Sequence, residues 1–343
     1  MLRRRSGIFL LCGLGAHAAA CSDSNDTARD GAEQGLQGAA GSTGAAGSTG
    51  LPPGSSQTSA TTDVFAPSDR SAHPSAGCGA GATPAVGQQT LTTGGQEGNY
   101  IISLPSSYDQ NTPGAVGFVF HGANNTEVSC FGGGNCAGVQ QALSNKSILV
   151  YPRSFGTSWT ADTRDQNVAW FDDLLAYVKA NFCVDEHKVY VFGTSSGAHF
   201  SNILGCRRGD ELRAIAPAAG ERLEKTGCRG EFAALVIHGI DDMNSVPFRL
   251  GEEARDFYAQ ANGCSTETVP PLAGMHAEVR SLRDAAKQAG MSTAGIFRCV
   301  DYQGCREGLP VRWCEHGEDG YDGTTHGYPL EGGATTWDFV SQL

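Results

Sequence analysis

The sequence has no apolar run long enough to cross a bilayer. Its one candidate, residues 8–14 (IFLLCGL), falls far short of the roughly 20 residues a spanning helix needs. Basic residues are scarce, 24 Lys and Arg against 36 Asp and Glu, giving a formal net charge of −12. So acidic a chain lacks the basic footprint that a nucleic-acid partner requires. The 12 cysteines never form a C-x-x-C pair, the spacing on which many structural zinc sites are built. Residues 22–76 have almost no large apolar side chains, so they cannot bury enough surface to offset their ordering entropy. Gly does recur there at every third position from Gly35 to Gly50, but over few triplets and with no Pro inside them. That excludes a collagen-like helix and leaves a flexible spacer.

What is present begins with export. Arg3, Arg4 and Arg5 precede the apolar run, and Ala18-Ala19-Ala20-Cys21 follows it. A basic start, a short apolar stretch and small residues predict a secretory signal over residues 1–20. The Cys directly after three Ala resembles a bacterial lipoprotein box. That resemblance implies lipid on Cys21, the first mature residue, and a cell-envelope protein of a bacterium. Simple cleavage after Ala20 is the other reading. Residues 21–77 then form a lipoprotein-type Cys and its tether, and residues 78–343 the folded domain. Outside Cys12 and Cys21 ten cysteines remain, and an even count in an exported chain predicts up to five disulfides. Cys130/Cys136 and Cys299/Cys305 flank short Gly-containing loops that can close locally.

The folded part alternates between two periodicities. Short β-rich runs at 100–104, 115–120, 148–151, 188–192, 214–217, 233–237 and 311–314 predict strands. Between them Val168, Phe171, Leu174, Leu175 and Val178 recur at helical spacing, after a polar loop at 162–166. Further helices are expected at 196–207, 247–262 and 335–343. Residues 272–295 interrupt the pattern with Val279, Leu282, Ala286 and Ala289, which predict a surface helix or an amphipathic insertion near the site. Strands alternating with helices imply an α/β fold, a mostly parallel central sheet with helices on both faces.

One strand end carries a candidate site. Gly193-Thr194-Ser195-Ser196-Gly197 is a G-x-S-x-G pattern, weak alone in a chain with 47 Gly. Here it follows a strand and opens a helix, the context of a nucleophile elbow. A Ser hydroxyl is a poor nucleophile at neutral pH and needs a base beside it. Chain order in this arrangement places an acid and then a His downstream. Asp242 leaves a strand before Val246-Pro247 and suits the acid. Asp241 reads as a solvated neighbour or helix cap, and His238 as structural. His326, in the loop before the last helix, is the candidate base, with His316 the alternative and His276 a more distant third. Glu315 to Asp322 reads as a solvated acidic loop or, alternatively, a metal site. Phe120-His121-Gly122-Ala123 ends a strand where backbone amides can enter the cleft. The amides of Ala123 and Ser196 are the expected oxyanion donors, with His121 packed locally.

These residues resemble the α/β-hydrolase superfamily. The likeness is nearer still to exported esterases of the polyhydroxybutyrate depolymerase-like and feruloyl esterase-like groups. It rests on YIISLPSSY at 100–108, Phe120-His121-Gly122, NFCVD at 181–185 running into the elbow, ARDF at 254–257 with Asn262-Gly263-Cys264, YQGC at 302–305 and Trp313-Cys314. The resemblance implies ester hydrolysis through Ser195, Asp242 and His326, with no metal or organic cofactor. Its substrate would be a feruloyl or other polysaccharide side-chain ester, or alternatively a hydroxyalkanoate oligomer. Trp159, Phe155 and Trp170 are candidate walls for an aromatic acyl group. A non-catalytic surface binding protein on the same fold is the reading from another class.

Overall fold

The computed structural model describes residues 66–81, 84–132, 136, 138–243, 245–265, 272–320 and 324–343. The expected signal, Cys21 and the tether as far as residue 65 lie outside the described residues.

At one edge of the sheet, β1 (Gly87–Thr93) and β2 (Gln96–Ser103) form a hairpin. It turns through Gly94 and Gly95, both at positive φ, as a two-residue turn between right-twisted strands requires. Next in the chain come β3 (Gly114–Phe120), β4 (Ile148–Pro152), β5 (Val184–Thr194), β6 (Ala214–Ala218) and β7 (Ala233–Gly239). β8 (Phe297–Asp301) and β9 (Val311–His316) complete a sheet of order β1-β2-β4-β3-β5-β6-β7-β9-β8. Every pairing from β4 across to β9 is parallel. The edge strands β1 and β8, and β2 next to β1, pair antiparallel with their neighbours. The sequence pattern therefore predicted the six central parallel strands and β2, and the edge strands β1 and β8 escaped it.

The helices are α1 (Glu127–Phe131), α2 (Val139–Leu143), α3 (Arg164–Asn181), α4 (Ser196–Arg208), α5 (Phe248–Ala261), α6 (Leu272–Gln288) and α7 (Gly332–Val340). α3 starts inside the stretch expected as a polar loop, because Asn167 of its first turn is buried and used. Its Oδ1 accepts from the Phe155 amide and its Nδ2 donates to the Trp159 carbonyl.

Alternation along the strands divides the core into two layers. Val116, Phe118 and Phe120 of β3 face Phe171 and Val178 of α3, Phe200 and Ile203 of α4, and Tyr258 of α5. Val119, Phe192 and Ile237 face the other way, against Leu143 of α2 and Phe339 and Val340 of α7. β4, β6 and β7 are buried at every position, as strands covered on both faces must be.

Five disulfides join Cys78–Cys183, Cys130–Cys136, Cys206–Cys228, Cys264–Cys305 and Cys299–Cys314. The short loop at Cys130–Cys136 closes as expected. Cys299 and Cys305 do not pair. Antiparallel β8 sets Cys299 directly opposite Cys314, leaving Cys305 to tie its loop to Cys264 after α5. Disulfides persist in oxidising compartments, in keeping with an exported chain. No helix among the described residues is long and apolar enough to cross a membrane.

Candidate active site

The carboxyl ends of β3, β5, β7 and β9 supply the site. β5 ends at Thr194, and α4 begins at Ser196, so the chain must reverse at Ser195. It does so with Ser195 at φ 53°, ψ −120°, a region that non-Gly residues rarely occupy. The flanking glycines permit the turn. A Cβ on Gly193 would strike the Gly197 backbone, and one on Gly197 would strike the Phe120 carbonyl at the end of β3. The Ser195 amide donates to the Ala218 carbonyl at 3.0 Å, and the Ser195 carbonyl accepts the His199 amide at 3.0 Å. The strained turn is thus held on both sides, and its hydroxyl projects half-buried at the sheet edge.

The hydroxyl meets an imidazole. Ser195 Oγ lies 2.8 Å from His326 Nε2, and His326 Nδ1 lies 2.6 Å from Asp242 Oδ2. Asp242 is 3% exposed, and its Oδ1 accepts the amides of Val246 at 3.1 Å and Ser245 at 3.3 Å. Burial pushes this carboxyl up. The hydrogen bond and charge of His326 and the Val246 amide outweigh that, holding it below the usual aspartate value. Asp242 is therefore ionised at neutral pH and accepts from Nδ1–H, which leaves Nε2 a lone pair for the Ser195 proton. Residues 195, 242 and 326 are brought together as the sequence suggested.

The imidazole is placed by its loop. The His326 amide donates to Thr324 Oγ1 at 3.2 Å. The preceding residue, Thr325, is buried and sits on the end of β7, where a Cβ on Gly239 would collide with its carbonyl. His316 is no substitute. It is fully buried, its charged form suppressed by desolvation to a pKa of about 3. His238 is likewise interior, its Nε2 2.8 Å from the Val246 carbonyl. It buttresses the segment that offers its amides to Asp242.

The amides expected as oxyanion donors border the hydroxyl. Ser196 opens α4, so its N–H has no intrahelical acceptor. Ala123 lies one residue beyond Gly122, where an added Cβ would stand 3.7 Å from Ser195 Cβ. Among the described residues neither amide has a hydrogen-bond acceptor. His121 packs locally, as expected, with Nδ1 2.8 Å from the Gly122 carbonyl and Nε2 accepting from the Ser154 amide at 3.3 Å.

The aromatic candidates fare differently. Trp159 is fully buried between Phe120 and Phe200. It braces the elbow rather than lining a slot. Its amide donates to Ser196 Oγ at 2.9 Å and its indole to the His121 carbonyl at 2.9 Å. Trp170 is also fully buried, beneath Tyr100 and Phe155. Neither ring offers a surface to an acyl group. Of the three, Phe155 alone keeps an exposed part.

Two features escaped the sequence reading. Asp241 stays partly exposed but is held in ion pairs. It pairs with Arg280 at 3.1 Å and with the buried Arg283, both on α6. α6 thereby anchors the loop that carries Asp242, packing Val279 against Ile240 and Ile296. His199 stands one helical turn beyond Ser195 on α4. Its Nδ1 accepts the Glu221 amide at 3.0 Å, and burial lowers its pKa from the usual histidine value. Its spacing of four residues from the Ser, on one helix face, was the available signal.

Of the acidic stretch that starts at Glu315, Asp322 lies outside the described residues and the rest is divided among partners. Glu315 accepts from the Trp313 indole and contacts His276, Glu318 accepts the Gly295 and Leu330 amides, and Asp319 pairs with Arg283 and Lys287. Among the described residues no group of three or more His, Cys, Asp or Glu is arranged to hold a metal ion.

No protein-family model matches the chain. Individual relatives do. Feruloyl esterase D of Neurospora crassa is 31% identical over 269 residues, covering 74% of this chain and 84% of that protein. Feruloyl esterase C of Emericella nidulans is 28% identical over 273 residues, covering 75% and 90%. Among solved structures, an acetyl xylan esterase from Aspergillus awamori shares the fold, with a TM-score of 0.51 at 13% identity over 75% of this chain and 99% of that one. Together with the sheet order and the strained turn at Ser195, these likenesses show that the chain belongs to the α/β-hydrolase superfamily, among the carboxylic-ester hydrolases related to the feruloyl esterases.

Proposed function

We propose that the protein hydrolyses feruloyl and related side-chain esters of plant polysaccharide, with Ser195 as nucleophile, His326 as general base and then acid, and Asp242 as the group that orients and charges the imidazole. The observation that carries this reading is the hydrogen-bonded path from Ser195 through His326 to Asp242. As Ser195 Oγ attacks the ester carbonyl, its proton passes to His326 Nε2. The imidazolium that forms is stabilised by the ionised Asp242. The negative charge arising on the carbonyl oxygen falls to the Ala123 and Ser196 amides, each such donor being worth about 3–4 kcal/mol. The alcohol leaves with the proton from His326. Water, deprotonated by the same nitrogen, then releases the acid from Ser195.

The substrate class rests on the feruloyl esterases among the relatives. Initial rates on methyl ferulate, acetylated xylan and 3-hydroxybutyrate oligomers test it. Methyl ferulate turned over fastest supports the reading, and 3-hydroxybutyrate oligomers turned over fastest replace it with a polyester depolymerase. Export with lipid attachment at Cys21 belongs to the same proposal. A mature N-terminus at Cys21 carrying acyl mass supports attachment, and an unmodified one shows simple cleavage.

A further inference from the structure

A cavity of about 260 Å³ opens beside α4, between the 222–232 segment and α5. Three guanidinium groups line it, Arg222, Arg229 and Arg306, against one carboxylate, Glu231. Two of the three are compensated locally. Arg306 pairs with Glu231 and donates to the Ala261 carbonyl. Arg229 lies 3.4 Å from Asp210 and donates to the Arg207 carbonyl. Arg222 differs. It touches the Glu224 carbonyl at 3.3 Å, the Cys228 sulfur at 4.0 Å, the side chain of Tyr258, and the Phe257 ring, whose centroid is 3.1 Å from the guanidinium carbon. Among the described residues it forms no ion pair. Burial lowers its pKa from the usual arginine value, so its charge is held at a cost that no carboxylate among the described residues offsets. An aromatic ring beneath a half-buried guanidinium, facing a cavity, makes a receptor for an anion supplied from outside.

The cavity is joined to the reaction centre by one strip of residues. His199, bonded through its amide to the Ser195 carbonyl, accepts from the Glu221 amide. The Glu221 carbonyl accepts from Asn202 Nδ2 at 3.1 Å, and Asn202 is part of the cavity wall. Asn202 is seven residues beyond Ser195, about 10 Å along the helix. Arg222 follows Glu221 directly. A glycan of a few sugar rings whose ester sits at Ser195 is long enough to span about 10 Å. The volume lies just below the range of about 300–1,000 Å³ typical of drug-sized ligands, which suits a single sugar ring.

We propose that this cavity is an acidic-sugar subsite: it takes a uronate of the glycan that bears the ester, with its carboxylate on Arg222 and its ring against the Phe257 side of the wall. The proposal rests on the polysaccharide-esterase reading above and narrows its substrates to feruloylated glycans containing uronic acids. The carboxylate of a released phenolic acid has the same charge, and the experiment separates the two sources.

Calorimetric binding to the full chain carrying Ser195→Ala uses digalacturonate, xylobiose and ferulate as probes. Digalacturonate is expected to bind at least tenfold more tightly than xylobiose and to weaken as salt is raised. Arg222→Gln should lower that affinity tenfold or more, and Arg222→Lys should keep most of it. No saturable binding of digalacturonate, equal binding of xylobiose, or an affinity indifferent to Arg222→Gln overturns the proposal. Ferulate binding that depends on Arg222 while digalacturonate does not bind assigns the cavity to product instead. Should Arg222→Gln fail to fold, the comparison of digalacturonate with xylobiose on the otherwise unchanged chain still decides. Wild-type protein inactive on methyl ferulate would defeat the esterase reading without altering these binding results.

Discussion

Replacing Asp242 by Asn changes one acceptor into a donor at nearly constant volume, and the surroundings dictate which way the amide must point. Asp242 Oδ1 takes the Val246 and Ser245 amides. In Asp242→Asn only the carbonyl oxygen can accept these, so the NH₂ group turns toward His326 Nδ1. Two donors cannot share that 2.6 Å contact. The imidazole must either move away or carry its proton on Nε2, where it can no longer accept from Ser195. The expected loss is about 10³- to 10⁴-fold in kcat, or about 4–5 kcal/mol of transition-state stabilisation. KM should change little, since residue 242 acts through the imidazole. Steady-state kinetics on methyl ferulate, with the thermal midpoint as a check on folding, measure both. A folded variant keeping more than about one-tenth of wild-type kcat would refute the reasoning, because it would mean that the base works without this carboxylate.

Gly239→Ala places a methyl against the Thr325 carbonyl. It should cost about 1–3 kcal/mol in stability and at least tenfold in kcat as the His326 loop lifts, read from chemical denaturation and initial rates. Glu318 is buried against Glu331, and burial together with that neighbour raises its pKa from 4.5 to about 7. Its proton is held more tightly in the folded chain, so its contribution is fully present below about pH 4.5 and lost as pH rises through about 7. Glu331→Gln removes the like charge and should flatten the fall in thermal midpoint between pH 5 and about pH 8. An unchanged profile would contradict the coupling. Cys78–Cys183 closes a sequence separation of 105 residues, for which loop entropy gives up to about 4–5 kcal/mol. The double variant Cys78→Ser, Cys183→Ser should show a clearly lowered midpoint in thermal unfolding, and an unshifted midpoint would refute that estimate.

Central strands were legible because both their faces are buried, which writes an uninterrupted apolar run into the sequence. Edge strands were not. β1 reads GQQTLTT and β8 reads FRCVD, with one side open to solvent and little apolar signal; the Gly94-Gly95 pair, a hairpin signal, was not read as one. The start of β5 was hidden by Asp185, Glu186 and His187. There Asp185 turns inward to accept the His73 and His187 amides. Local spacing misdirected the pairing of Cys299, since strand register, not loop length, chose Cys314. Ser195, Asp242 and His326 could be located because each follows a strand end in a recognisable order. The aromatic wall could not, because a Trp supporting the elbow and a Trp lining a cleft have the same sequence signature, and burial alone separates them. The role of α6 depended on Arg280 and Arg283 reaching Asp241, a contact between segments about 40 residues apart that no periodicity encodes.

The most direct test of the central claim is covalent labelling with a fluorophosphonate probe, followed by peptide mass mapping. The account predicts a single adduct on Ser195, formed quickly in the wild type, slowly in Asp242→Asn and not at all in Ser195→Ala. An unlabelled wild-type protein, or an adduct on Ser196 or any other residue with Ser195 unmodified, would contradict it.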